Sequence, residues 1–406
     1  MDYISDRLSN GLRIVHIPTD SPVAYCGFAV NVGTRDERKY EHGMAHFVEH
    51  MLFKGTSKRR AWHILNRMDN VGGELNAYTT KEETYVYSIF MEKDFNRAME
   101  LQADLVFNSQ FPEQEIEKEV DVIIDEINSY KDNPSELIFD DFENMVFGNH
   151  PLGHNILGDE QTLLTFDTEK GKSFLRRFYT PDNIIFFSMG KRDFKRIMSA
   201  AESLIGDITT TSDRPERIAP ERLAPYESTI DKETYQAHAM IGGVSCSMGD
   251  KKRLPLLVLN NILGGPGMNS RLNLSLRERH GLVYNVESNL NFYSDTGLAS
   301  IYFGTDPKNL NKALTLVEKE LKKVRDEKLT TSQLSAAIKQ LEGQLGVATD
   351  NKEGVFLGLG KVMLYFGKYE SLSETFAKLE AVTAEDILEV ANEVYAPENL
   401  FRLIYK

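Results

Sequence analysis

Two segments of this chain run the same course. HGMAHFVEHMLFKG (42–55) and RLPLLVLNNILGGP (253–266) place apolar residues at matching positions, and both end in small or glycine-rich loops. Strand-like runs precede each of them: GLRIVHIP (11–18) and AYCGFAVNVG (24–33) before the first, and segments near 226–231 and 235–244 before the second. Between the two halves lies TTTSDRPERIAPERLAP (209–225), polar, proline-bearing and without periodicity, as linkers are. The pattern reads as an internal duplication. A chain of 406 residues exceeds one typical core, so duplication resolves it into two domains of ordinary size: 1–208 and 226–406, joined by 209–225.

The remaining elements follow from local pattern. A second helix covers roughly 59–70 and ends at Gly72-Gly73. GELNAYTT (73–80) and ETYVYSIFM (83–91) form a hairpin, helices cover 94–108, 113–131 and 135–147, and NIIFFSMG (183–190) is a further strand. The second half adds strands near 282–291 and 296–305, helical segments through 307–395, and a final strand in NLFRLIYK. Strands and helices mix without regular alternation. The expected class is α+β: two duplicated domains, each a mostly antiparallel or mixed β-sheet covered by helices on one side.

The two copies differ in one respect. Within an otherwise apolar helix the first carries His46, Glu49 and His50, where the second has Leu257, Asn260 and Asn261. On a helical wheel His50 falls about 40° to one side of His46 and Glu49 about 60° to the other. The three form one narrow polar stripe on a helix that is otherwise buried. Buried imidazoles and carboxylates are costly unless paired or bound to metal. Two imidazoles one turn apart can grip one Zn²⁺, and a neighbouring carboxylate can serve as general base on a water.

Catalytic zinc usually takes three protein ligands. In FPEQEIEKEVDVIIDEINSYKD (111–132), Ile116, Val120, Ile123, Ile124 and Ile127 make an apolar stripe, with Glu119 and Glu126 at its margin within about 20° of each other. Helical geometry does not choose between them. Nor does it exclude His42, one turn before His46.

His46-Phe-Val-Glu49-His50, followed 76 residues later by Glu126, resembles the inverted-zincin peptidases of the pitrilysin family, which includes insulysin and the mitochondrial processing peptidase. The resemblance implies that His46, His50 and Glu126 hold Zn²⁺, that Glu49 is the catalytic base, and that Glu119 supports the site. It favours His50 over His42, because Glu49 must flank the metal. Asn76 and Ala77, in the edge strand GELNAYTT, match residues that pair with the substrate backbone. HPLGHNILG (150–158) is similar to bacterial members. Arg277 and Tyr284, in RERHGLVY, match a pair that binds substrate near the scissile bond. His150 and His154 read as structural, and His16, His63, His238 and His280 have no partner pattern.

The implied activity is that of a zinc metalloendopeptidase on oligopeptides or unfolded segments. Larger relatives join two such duplicated halves around a chamber, and this chain supplies one. A homodimer is therefore expected, Arg277 and Tyr284 of one chain completing the zinc site of the other. The alternatives are a non-catalytic partner or assembly subunit on the same fold, and a metal-dependent amide hydrolase for small substrates. A net charge of −14 argues against nucleic-acid partners. Cys26 and Cys246 give neither a disulfide framework nor a CxxC knuckle. No apolar run reaches 18 residues and the N-terminus lacks an apolar leader core, so no membrane association and a cytoplasmic location are expected.

Overall fold

Period-two alternation in the first half builds a mixed sheet. In the computed structural model, which describes residues 2–209 and 211–406, it comprises β1 (Ile4–Arg7), β2 (Arg13–Pro18), β3 (Val23–Val30), β4 (Glu74–Thr79), β5 (Thr84–Met91) and β6 (Ile184–Gly190). Met1 and Thr210, the latter within the expected linker, lie outside the described residues. The strand order is β1-β2-β6-β3-β5-β4, with β2 and β6 parallel and β4 at an edge. The β4–β5 hairpin forms in the register Asn76↔Tyr87 and Ala77↔Val86.

Alternate side chains leave this sheet in opposite directions. Ala24, Cys26, Phe28 and Val30 of β3 join one core with α1 (Met44–Leu52), α2 (Ala61–Asp69), α3 (Phe95–Asn108) and α4 (Glu113–Lys131). Val15, Ile17, Tyr85 and Phe187 face the other way, onto Phe356, Leu359 and Met363 of the helix Lys352–Phe366. Phe187 and Phe356 stack with ring centroids 4.3 Å apart. A Cβ at Gly360 would fall 2.8 Å from Phe187 Cζ, so this close approach requires glycine.

The second sheet repeats the plan. β7 (Glu227–Ile230), β8 (Ala237–Ser245), β9 (Val283–Phe292), β10 (Gly297–Thr305) and β11 (Phe401–Tyr405) lie in the order β7-β11-β8-β10-β9. Matching chain order, this is β2-β6-β3-β5-β4 again, down to the parallel β7–β11 pair. The helix Arg253–Gly264 stands where α1 stands in the first copy. One face packs on that helix and on Leu310–Asp326, Thr331–Ala348 and Ala384–Val394. The other receives α5 (Pro134–Phe147), whose Ile138, Phe142 and Met145 meet Met240, Leu298, Tyr302, Leu403 and Tyr405.

The two units are thus discontinuous in sequence. One holds the chain through Asn128 with His154–Arg217 and Ala348–Ser371; the other holds Ser129–Gly153, Ile218–Val347 and Leu372–Lys406. In each, the expected helical layer covers one face, and a single helix drawn from the other half of the chain covers the second. No helix is expected in 150–182 or 191–208, yet Thr168–Phe178 and Phe194–Ile205 are helical. Both carry an aspartate N-cap, Asp167 accepting from Lys170 N at 2.8 Å and Asp193 from Arg196 N at 3.2 Å. That signal was available in the sequence. Among the described residues, no helix is long and apolar enough to cross a membrane.

Candidate metal centre

α1 starts where Gly43 turns into the left-handed region at φ +88°, against the Leu157 carbonyl. The first N–H groups of a helix lack intrahelical partners. Here the buried Glu37 carboxylate accepts from Gly43 N at 3.0 Å and Ala45 N at 2.8 Å. Burial pushes the Glu37 carboxyl well above its usual range, and these two N–H groups pull it back. Met44, Ala45, Phe47, Val48, Met51 and Leu52 are fully enclosed, which fixes the rotation of the helix. The polar stripe is then aimed at α4, itself seated by Ile116, Val120, Ile123 and Ile127.

Three atoms converge there. Glu126 Oε2 lies 3.8 Å from His46 Nε2 and 3.7 Å from His50 Nε2, and the imidazole centroids are 4.5 Å apart. Among the described residues, His46, His50 and Glu126 are the one His/Cys/Asp/Glu group whose ligand atoms all lie within 4.8 Å of one another. Tetrahedral zinc, with bonds of about 2.0–2.2 Å, sets its ligand atoms roughly 3.3–3.6 Å apart. The two separations from Glu126 Oε2, 3.8 and 3.7 Å, are within a few tenths of an ångström of that. Two imidazole nitrogens and a carboxylate oxygen are a donor set that suits zinc.

Glu119 stands one layer back. Its Oε2 lies 3.0 Å from His50 Nδ1, and its Oε1 pairs with Lys54 just past the end of α1. An acceptor on Nδ1 places the proton there and leaves Nε2 free to ligate. Burial opposes charge on Glu119, but His50 and Lys54 outweigh it and hold its pKa below the usual carboxylate range. Burial also works against a proton on His50, yet Glu119, Glu49 and Glu126 together raise its pKa. His46 is 7% exposed, and burial first, then His50, pushes its pKa down to about 3. Its Nδ1 is buried with no hydrogen-bond partner among the described residues.

Glu49 faces a different neighbour, Thr79 at the end of edge strand β4. Burial lifts the Glu49 carboxyl above its usual range; Thr79 and His50 hold it back, and Glu126 adds to the rise. The second copy, which lacks both histidines, places an amide at this position. Asn260, in the place of Glu49, donates from Nδ2 to the Ser288 carbonyl of β9 at 2.8 Å and accepts from Ser288 Oγ at 2.5 Å. That amide is closed off by its strand, whereas Glu49 keeps a titratable carboxylate beside the two imidazoles.

The other predicted residues are placed as follows. Asn76 and Ala77 lie mid-strand in β4. Arg277 lies in the π-helical segment Asn273–Glu278 of the second unit, its Cζ 5.7 Å from the Tyr284 ring centroid, and Tyr284 is 86% exposed. His42 is not in the metal group: its ring lies 4.2 Å from that of His154 and its Nδ1 3.8 Å from Asp159. His16 bonds Ser188 Oγ at 2.9 Å, His238 bonds Tyr302 Oη at 2.9 Å, and His280 bonds the Ser275 carbonyl at 2.7 Å. Glu37, Lys54 and Thr79 escaped the sequence reading, because each acts through a contact that neither spacing nor motif encodes.

Comparison with known proteins identifies the family and the fold. Residues 13–160 match the family described as Insulinase (Peptidase family M16), and residues 165–341 match the Peptidase M16 inactive domain. The chain is 33% identical over 409 residues to the uncharacterized zinc protease YmxG of Bacillus subtilis, covering 97% of this chain and 96% of that one. It is 34% identical to an uncharacterized zinc protease of Rickettsia bellii, covering 96% and 94%. A protease from Helicobacter pylori superposes with a TM-score of 0.91 at 20% identity, covering 100% of this chain and 99% of that one. A Pseudomonas fluorescens structure described as a peptidase M16 inactive domain gives 0.92 at 18% identity, covering 100% and 98%.

Proposed function

This chain belongs to the insulinase (M16) family of peptidases, and on that premise we propose that it is a zinc metalloendopeptidase acting on oligopeptides or unfolded segments. The observation that carries the reading is the convergence of His46 Nε2, His50 Nε2 and Glu126 Oε2, with the Glu49 carboxylate at their side. Those three residues are the proposed ligands. Zinc held there supplies a Lewis acid for the scissile carbonyl and lowers the pKa of a water.

The chain's own groups do the rest. Glu49, its carboxyl raised above the usual range by burial, accepts the proton of the attacking water and delivers it to the leaving amine. Glu119 holds the His50 ring in its ligating tautomer. β4, with Asn76 and Ala77 at its centre, receives the substrate as an added strand. Arg277 and Tyr284 bind substrate and steady the developing oxyanion, and we propose that they do so from the partner chain of a homodimer. The proposed sequence domains are 1–208 and 226–406, with 209–225 between them.

The test is cleavage of a mixed peptide library read by mass spectrometry. It compares the wild type, Glu49→Gln, and wild type stripped by a chelator and restored with Zn²⁺. The expected result is cleavage that zinc restores and Glu49→Gln lacks, with Glu49→Gln still retaining zinc. No cleavage by a zinc-loaded wild type, or full activity in Glu49→Gln, overturns the reading.

A further inference from the structure

The segment 209–225 is polar and without periodicity, yet among its described residues Arg217 is largely enclosed. Arg217, 11% exposed at its side chain, reaches the Asp36 carboxylate through Nε at 2.9 Å and Nη2 at 2.7 Å. Nη2 also donates to the Glu82 carbonyl at 2.7 Å, and Nη1 lies 3.5 Å from Glu82 Oε1. Arg35 Nη1 reaches that same oxygen at 2.6 Å. A planar guanidinium can grip a carboxylate through two parallel N–H groups while donating to a carbonyl; a lysine ammonium lacks that fork.

Both partners of Arg217 adjoin the candidate metal centre. Asp36 directly precedes Glu37, whose carboxylate caps α1 at Gly43 and Ala45, the residue before His46. Glu82 lies in the turn between β4 and β5, three residues after Thr79, the neighbour of Glu49. The same two loops are tied by Thr34 N to the Thr80 carbonyl at 3.2 Å and Arg35 N to the Lys81 carbonyl at 2.8 Å. The guanidinium thus bridges the strap that caps the metal-bearing helix and the turn that ends the edge strand.

We infer that Arg217 is a positioning residue, setting the spacing between α1, with His46, Glu49 and His50, and β4. The inference rests on the proposed reading of β4 as the strand that receives the substrate. A peptide carbonyl must then sit between that strand and the metal helix, where misplacement by about 1 Å can cost as much as a hundredfold in rate. Arg217 touches neither reacting group and acts through the two loops it joins.

Hydrogen exchange read by mass spectrometry tests this on the full zinc-loaded chain, with zinc content and steady-state cleavage of a peptide from the library measured alongside. In Arg217→Ala the expected result is faster exchange confined to 33–46 and 74–84, one zinc retained per chain, and a loss of about 10- to 100-fold carried mainly by kcat. Arg217→Lys, which keeps the charge without the fork, is expected to fall between the wild type and Arg217→Ala, and it decides the matter by the same criteria if the alanine variant does not fold. Unchanged exchange in either segment, exchange that rises across the whole chain, or kcat within twofold of the wild type overturns the proposal. A wild type that cleaves nothing would sink the peptidase reading instead, and the exchange experiment would still decide whether the clamp exists.

Discussion

Glu119 Oε2 lies 3.0 Å from His50 Nδ1, while Nε2 of the same ring lies 3.7 Å from Glu126 Oε2. One imidazole is therefore held between two carboxylates of a single helix, seven residues apart. The first decides where the ring proton sits, and the second faces the ring's other nitrogen. Lys54 takes the other oxygen of Glu119, which fixes the carboxylate in turn. The proposed ligand is thus oriented by contacts among the chain's own side chains.

Glu119→Gln should weaken zinc binding by about 10- to 100-fold, the usual loss when the group that orients a metal-ligating histidine is changed. The amide can present its nitrogen to Nδ1 and favour the wrong tautomer. Competition with a chromogenic chelator measures this directly. Zinc affinity equal to the wild type would mean that Glu119 has no part in holding His50.

His16 offers a pH-dependent test away from the metal. It is 1% exposed, and burial pushes its pKa from 6.5 down to about 4. Between those values the unfolded chain binds more protons than the folded one, so stability rises with pH across the window. The contribution is fully present above pH 6.5 and is lost as pH falls through 4, with a span on the order of 3 kcal/mol. In His16→Gln the urea midpoint should fall less steeply on acidification from pH 6.5 to 4. Parallel profiles for the two proteins would show that His16 does not titrate in this range.

The metal stripe is legible in sequence because His46, Glu49 and His50 break an apolar helix at one face, and that break survives any tertiary context. Choosing Glu126 over Glu119 is not, because seven residues return to almost the same angle while moving about 10 Å along the axis. Only the placement of α4 against α1 decides which carboxylate meets both Nε2 atoms. The duplication is legible in the repeated strand–strand–helix order, and the matching sheet orders bear it out. The destinations of α5 and of Lys352–Phe366 are not. Periodicity shows that a helix has an apolar face, not which sheet will receive Phe142 or Phe356. Arg217 is invisible for a related reason: a lone cation in an aperiodic segment announces no partner.

If β4 accepts the substrate as an added strand, recognition has a period of two along the peptide backbone. N-methylation of a good substrate at successive residues should therefore alternate in effect. Positions whose N–H points at β4 should lose roughly tenfold in kcat/KM, about the 1–1.5 kcal/mol of one hydrogen bond, and the positions between should lose little. Steady-state kinetics on a methyl-scanned series reads this out. A loss that is uniform along the peptide, or confined to the scissile bond, would leave Asn76 and Ala77 as ordinary strand residues.

The proposed homodimer makes a complementation test possible. Glu49→Gln removes the base from one site, and Arg277→Ala removes the substrate-binding pair from the opposite one. Each homodimeric variant should be close to inactive. In a mixed dimer with shared sites, one site inherits both lesions and the other inherits neither, so one intact centre reappears. Equal mixing with free subunit exchange places half of the dimers in the mixed state, and recovery should approach a quarter of wild-type activity, with the order of magnitude set by this counting. Analytical ultracentrifugation confirms that dimers form, and native mass spectrometry with one variant isotopically labelled confirms that they exchange. Exchange without recovery would show that Arg277 and Tyr284 do not complete the partner's centre.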